Sequence, residues 1–530
     1  MMDIQPHTNR RHDLDALRAM AMLLGIALHA ALAFSGGPWI VQDHQTHPAF
    51  HGFISAIHGF RMPLFFLLSG FFTTMLWRRR GLRAVILNRF QRVFLPLLLG
   101  MITVVPLMHW LSLKEAKAGA QKASTAHLNL WKACATGRVD WVKDFLDQGK
   151  PLNESDPVLG MTPLSHATLH GQGEVVRLLL TNGANAQSRN RDEGTALHIA
   201  AFLGRVEIAH MLLRAGAKPD LKNVRGETAM DVSLVDSGLT LMITRLMNVS
   251  VEESRLIVGR EQVRQLFGIA ESATAKPKAL LKLWFFCTRM PVFSHLWFLW
   301  FLCWMVAGFA LWTWLAKRIG WKHGEKRWIT SNWRWLWLLP LTLLPAWIMS
   351  RGLPHFGPET SSSLVPPMPL LGYYAVFFSL GALYFDAEDH RGLVGRHWWL
   401  ILPVALVLVF PAGLSLTYRT TSPSLLAVFL QVLYAWLMCF GLMGLCRAFL
   451  HKERPWLRYL SDASYWMYLA HLPLVVAAQQ RFQALNMNAG VKFVLITAGT
   501  IVILLLSYWM IVRPTWLGRL LNGTGSTKKE

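Results

Sequence analysis

Apolar stretches recur along this chain at about 14–35, 55–77, 93–112, 294–316, 333–350, 369–386, 398–417, 424–449, 463–480 and 490–512. Each is close to the ~20 residues that an α-helix needs to cross a bilayer core. The pattern predicts an all-α fold, a polytopic transmembrane helix bundle of about 10 spans. The long gap between the third and fourth spans follows a different rhythm. Thr162, Thr195 and Thr228 are spaced by 33, and the first two open TPLSHA and TALHIA. That period and wording are close to the ankyrin signature. GEVVRLLLTNGAN at 173–185 and RVEIAHMLLRAGAKPD at 205–220 supply second helices, with a weaker copy at 130–149 and a degenerate one opening at Gly226. An inserted α-solenoid of ankyrin repeats is expected at 127–250, because such units bury their apolar faces only by stacking.

The expected organisation is a first membrane part at 1–113, the repeat insertion at 127–250, a connection with a helix at 251–293, a second membrane part at 294–512 and a tail at 513–530. Basic residues set its orientation. Arg78, Arg79, Arg80, Arg83, Arg89 and Arg92 flank one connection, and Lys317, Arg318, Lys322, Lys326, Arg327 and Arg334 another. Arg447, Lys452, Arg454 and Arg458 flank a third, and Arg513, Arg519, Lys528 and Lys529 close the chain. By the positive-inside rule both termini are cytoplasmic and the repeat insertion is extracytoplasmic. Arg10 and Arg11 before an apolar run imitate a signal peptide, but Arg18 interrupts that run, so an uncleaved first helix is expected.

Composition supports this class. Charged residues make up only 16% of the chain and hydrophobic ones 53%, with 24 Trp, against roughly 25% charged in soluble domains. The net charge of +23 does not indicate nucleic acid. The segment 127–250 carries 13 Lys and Arg against 13 Asp and Glu, so the excess sits in the membrane part. Cys134, Cys287, Cys303, Cys439 and Cys446 form no CxxC pair, and no metal-ligand spacing is present.

The first apolar stretch holds the main candidate chemistry, Arg18 and His29. Eleven positions are about three helical turns, so both side chains share a face about 16 Å apart along the axis. Ionisable groups within a span are costly and mark a site or pathway. A snorkelling Arg with a packing His is the other reading of this pair.

LDALRA followed by His29 gives Arg-x10-His on a first membrane helix, and RMPLFFLLSGFF at 61–72, NRFQRVFLP at 88–96, HLWFL at 295–299 and YWMYLAHLP at 465–473 follow in order. These pieces resemble the acyltransferase-3 family of integral membrane O-acyltransferases over 10–112 and 294–512. RMPLFFLLSG and FLPLLLGMITVVP are similar to its glucan-succinylating branch. The ankyrin insertion departs from the family's common pattern. The resemblance implies transfer of an acetyl or succinyl group from cytoplasmic acyl-CoA, as a substrate rather than a bound cofactor, to a hydroxyl of an extracytoplasmic glycan. It places the protein in a bacterial inner membrane, among lipid.

An alcohol needs a base to attack a thioester, and imidazole has a suitable pKa. His29 is therefore expected to deprotonate the acceptor, with Arg18 holding the donor. Arg89 and Arg92 are candidates for the donor phosphates, although membrane orientation also accounts for them. Arg61, read as beginning the second span at the outer face, is a candidate for the acceptor or a lipid headgroup. Ser69 fits either an acyl-enzyme or close helix packing. His295 and His471 are candidate substrate-path groups, and His166, His170, His198 and His210 are expected to serve repeat packing or the surface.

Two other functions fit parts of the pattern. One is a membrane-anchored ankyrin scaffold for a protein partner, which leaves the intramembrane Arg and His unexplained. The other is a proton-coupled or small-molecule transporter, for which inverted repeats between halves are expected and none is visible.

Overall fold

A computed structural model describes residues 11–37, 39–125, 130–156, 160–224, 226–235, 237, 240, 241, 244, 249, 251–267, 287, 292–320, 327–351, 355–419 and 423–522. Arg10, Lys322, Lys326, Lys528 and Lys529, much of the 251–293 connection and the last residues of the tail lie outside these. Every regular element among the described residues is helical. The chain divides into two compact units, 1–119 with 285–530, and 120–284.

In the first unit, α1 (His12–Ala31), α2 (Pro48–Arg89) and α3 (Leu95–Thr125) precede the insertion. After it come α12 (Trp297–Ile319), α13 (Arg334–Met349), α14 (Met368–Asp386), α15 (Trp398–Tyr418), α16 (Leu425–Phe449), α17 (Pro455–Phe482) and α18 (Ala489–Val512). Helix α1 is the central one, packed by α2, α16, α17 and α18. The outward faces are apolar: Ile102, Trp312, Leu336, Val407 and Trp509 are exposed. This is the surface of a multi-pass membrane protein, whose solvent on those faces is lipid.

Seven helices among the described residues are long and apolar enough to cross a membrane, where the sequence pattern gives about 10. The difference has physical causes. Pro48–Glu115 runs as one 68-residue helical stretch and holds the expected spans 55–77 and 93–112. At ~1.5 Å per residue a straight helix of that length is far longer than the ~30 Å hydrocarbon core. Gly81 breaks it with φ 76°, ψ 173°, a conformation that glycine adopts without steric penalty. The chain turns there, and Arg89 reaches back to Thr73. Helix α13 has only 16 residues. Helix α17 has 28, but Arg458, Asp462, His471 and Arg481 lower its hydropathy.

The second unit stacks helix pairs: α4 (Leu130–Thr136) with α5 (Val139–Asp147), α6 (Pro163–Leu169) with α7 (Gly173–Thr181), and α8 (Ala196–Leu203) with α9 (Val206–Arg214). A short α10 (Ala229–Ser233) opens the last repeat. The 33-residue threonines are helix N-caps. Thr162 accepts from Ser165 N at 3.3 Å, and Thr228 and Asp231 cap each other. These bonds hold the Asp231 carboxyl below its usual range. His198 joins the Thr195 cap through Nδ1 and reaches Glu227 O in the next repeat through Nε2 at 3.2 Å. Burial lowers the pKa of its imidazole, so it serves packing in the neutral form.

Helix α11 (Glu253–Leu266) packs on α8, α9 and α10, within this second unit. Its Arg260 is 4% exposed and donates to Phe202 O at 2.9 and 2.5 Å, Thr240 Oγ1 at 2.6 Å and Val235 O. Arg260→Ala will remove its donors from these acceptors, at about 1–3 kcal/mol for each group left unsatisfied. Limited proteolysis of the membrane-embedded protein should then cut within 196–267 faster than in wild type; unchanged kinetics would show that α11 is not fastened to the stack.

Candidate active site

The site is built where α1 and α17 lie side by side. Both are long helices carrying polar residues on the face they share, where Arg18 meets Ser461 and His29 meets His471.

At one end, Arg18 Nη2 donates to Ser461 Oγ at 2.7 Å and Ser461 O at 3.2 Å, with Asp15 at 3.4 Å. Its guanidinium lies over the Phe72 ring, 5.7 Å from the centroid. Arg89 donates to Thr73 Oγ1 at 2.8 Å, and Thr73 in turn donates to Ser69 O at 2.6 Å. Arg89 and Arg92 are within electrostatic range of each other, of Arg18 and of the Tyr465 hydroxyl. Arg18 Nε, Arg89 Nε and the Tyr465 hydroxyl are buried without a hydrogen-bond partner among the described residues. The arrangement concentrates positive charge with donors to spare, the chemistry that recognises a phosphate or carboxylate.

About 16 Å along α1, three imidazoles converge. The His29 and His471 ring centroids are 5.2 Å apart, and those of His471 and His295 are 5.6 Å apart at 89°. His471 comes from α17, and His295 from the short turn Ser294–Leu296 before α12. The Tyr468 hydroxyl holds that turn by donating to His295 O at 2.8 Å. Among the described residues no three His, Cys, Asp or Glu side chains are placed to hold a metal ion.

Arg61 is not at the outer start of its helix, as the apolar pattern had suggested, because α2 already begins at Pro48. Its guanidinium fills the room that a side chain at Gly25 would take, one helical turn before His29. A cation therefore stands beside the imidazoles rather than at a lipid headgroup. Ser69 is half-buried next to Gly70, which meets the backbone of α14 at Phe378. Ser69 thus sits at a helix crossing, away from the imidazoles.

Two residues of this site carry no signal in the family-like motifs. Trp39 stacks on His29, with centroids 5.8 Å apart at 22°. Gln479 accepts from Trp39 Nε1 at 2.9 Å and donates to His29 O at 2.9 Å and Ala30 O at 3.1 Å. Gln479 is an amide at the end of an apolar run, HLPLVVAAQQ, and the rule that singled out Arg18 applies to it equally.

The segment bearing Trp39 is pinned by an ion pair. Lys492 Nζ is 2.8 and 3.0 Å from the Asp43 carboxylate, and the two side chains are 0% and 3% exposed. Asp43→Ala will leave a buried ammonium unpaired, which costs about 3–5 kcal/mol. A lower unfolding midpoint in detergent is expected, with most of it recovered when Lys492→Met is added; an additive double variant would mean the pair does not carry the effect.

Comparisons with known proteins fit this division. A family model described as acyltransferase domain matches residues 11–132 and 252–512, and one for ankyrin repeats in three copies matches 130–223. Glucans biosynthesis protein C of Escherichia coli (strain K12) is 38% identical over 99 residues, 19% of this chain and 25% of that protein. The same figures hold for the protein of that name in Escherichia coli O157:H7 (strain EC4115 / EHEC). The chain thus spans about a quarter of the length of these curated relatives. Among solved structures, the ankyrin repeat domain of Bcl-3 matches with 31% identity over 22% of this chain and 50% of that one, at a TM-score of 0.20.

Proposed function

Because this chain belongs to the acyltransferase domain family, whose model covers both halves of its membrane part, we propose that it is a membrane O-acyltransferase. It moves an acyl group, acetyl or succinyl, from cytoplasmic acyl-CoA to a hydroxyl of an extracytoplasmic glycan. The observation that carries this reading is the His29–His471 pair. Two imidazoles whose buried nitrogens have no partner among the described residues face each other inside a membrane bundle. Unpaired polar atoms there are costly, and a bound alcohol would satisfy both.

The imidazole pair supplies the base, worth ~10²–10⁴-fold in rate. Arg61, beside it, contacts the acceptor. Arg18, Arg89 and Arg92 bind the phosphates of CoA at the basic, cytoplasmic end. No other cofactor is required. Similarity over part of its length to a protein named for glucan biosynthesis supports a glycan acceptor. The ankyrin repeats, with an extracytoplasmic position by the charge rule, suit a protein partner. The bundle belongs in a bacterial inner membrane with both termini cytoplasmic.

Mass spectrometry of envelope glycans from a host with and without the protein tests the reading. An acyl mass increment found only with the protein supports it, and its size identifies the group. Identical glycans in all major envelope fractions would overturn it.

A further inference from the structure

His471 is the one imidazole of the three that lies against both of the others. Its Nδ1 is 3.0 Å from Met467 O and 2.8 Å from Tyr468 O. Carbonyl oxygens only accept, so Nδ1 carries the ring proton. In the neutral ring the lone pair is then on Nε2, which is buried without a partner among the described residues. The helix's own backbone therefore fixes His471 as the neutral tautomer with its basic nitrogen free.

His29 is held differently. Gln479 grips its backbone carbonyl, not its ring. Its Nδ1 is buried and has no hydrogen-bond partner among the described residues, so no contact there fixes its tautomer. His295 places Nε2 3.4 Å from Leu469 O and stands on the side of His471 that pairs with Tyr468. Of the two rings that face each other, His471 is prepared to accept a proton, and His29 is free to donate one.

An alcohol oxygen has one proton and two lone pairs, which matches this pair. We infer that His471 Nε2 is the base that takes the proton of the acceptor hydroxyl, while His29 Nδ1–H donates a hydrogen bond to the same oxygen. This rests on the acyltransferase reading and assigns its base. The hydroxyl oxygen bonds to the thioester carbonyl carbon as its proton passes to His471 Nε2. The carbon–sulfur bond then breaks, and the imidazolium returns that proton to the leaving thiolate. An ester and a free thiol result, with His471 neutral again. The Nδ1 proton never leaves its two carbonyls, so the ring keeps its orientation throughout, the part that a third group plays in a hydrolytic triad.

His471→Asn isolates the base. The asparagine amide N–H replaces Nδ1–H toward Met467 O and Tyr468 O, while the Nε2 lone pair is lost together with the ring contacts to His29 and His295. Membranes holding the full chain are assayed with labelled acetyl-CoA and succinyl-CoA and a glucan oligosaccharide as the hydroxyl acceptor, in wild type, His471→Asn, His29→Ala and the double variant at matched levels. The expected result is a rate at least ~10²-fold lower in His471→Asn, with the KM for the thioester within about threefold and the double variant no slower than its slower parent, as for groups that act together. A rate within tenfold of wild type, or a loss confined to KM, overturns the role of His471 and leaves acyl transfer standing. Absence of transfer by wild type itself overturns the acyltransferase reading, and the inference with it.

Discussion

His29→Ala will abolish acyl transfer, with a loss of ~10²-fold or more, while the protein remains folded in the membrane. The two halves of this expectation have separate grounds. The hydrogen bonds that tie α1 to α17 at this level run to backbone: Gln479 donates to His29 O and Ala30 O. Alanine keeps both carbonyls and is a strong helix former. What the substitution removes is the ring, with a buried unpartnered Nδ1 and a face stacked under Trp39. A purely structural His would show the opposite pattern, loss of folded protein with normal turnover per molecule. Envelope-glycan mass spectra of the two proteins, at membrane levels matched by immunoblot, decide the matter. An unchanged acyl increment with His29→Ala would remove His29 from the chemistry.

The second large effect is on stability. Gly381→Val will prevent α2 and α14 from closing. These helices touch through backbone: a side chain at Gly381 would fall on Leu67 O, and one at Gly70 on Phe378 O. Small residues let membrane helices approach this closely, where packing rather than water drives association. A valine must push rigid carbonyls rather than a flexible side chain, and overpacking of this kind costs about 1–3 kcal/mol or more. Because α2 carries both Arg61 and Thr73, which accepts from Arg89, the loss extends to the site. Thermal unfolding in detergent should show a lower midpoint and less monodisperse protein. A midpoint equal to wild type would show that the helices are not in backbone contact.

Much of the architecture was legible in the sequence because two periodicities are strong. Apolar runs of helical length mark a membrane bundle, and the 33-residue threonines mark stacked pairs, each for a reason that can be named: hydrocarbon thickness in the first case, N-capping in the second. The span count was less legible. Arg61 lay inside α2 rather than at its start, since apolarity does not reveal where a helix extends beyond the hydrocarbon. At the site, local motifs singled out Arg18, His29, His295 and His471 one by one, but not their grouping. His29 meets His471 across more than four hundred residues, and no local pattern encodes that meeting. Lys492 and Gln479 were missed although each is legible. Both are polar residues in apolar runs, the same signal that marks Arg18 and His29 in the first helix. Trp39 offered no signal of its own, because its role comes from the Asp43–Lys492 tie that places it.

The Arg18–Ser461 contact has a bearing on affinity. In the structure one guanidinium nitrogen, Nη2, already has occupants, the Ser461 hydroxyl at 2.7 Å and its carbonyl at 3.2 Å, with the Asp15 carboxylate at 3.4 Å. An anion arriving there competes with those occupants rather than meeting a vacant cation. Hydrogen bonds to charged groups are worth about 1.5–3 kcal/mol, so any measured dissociation constant is an exchange constant, net of the bond released. Such an arrangement discriminates by charge: a neutral hydroxyl that replaces Ser461 gains nothing, whereas a phosphate gains the difference, less the repulsion of the Asp15 carboxylate beside it.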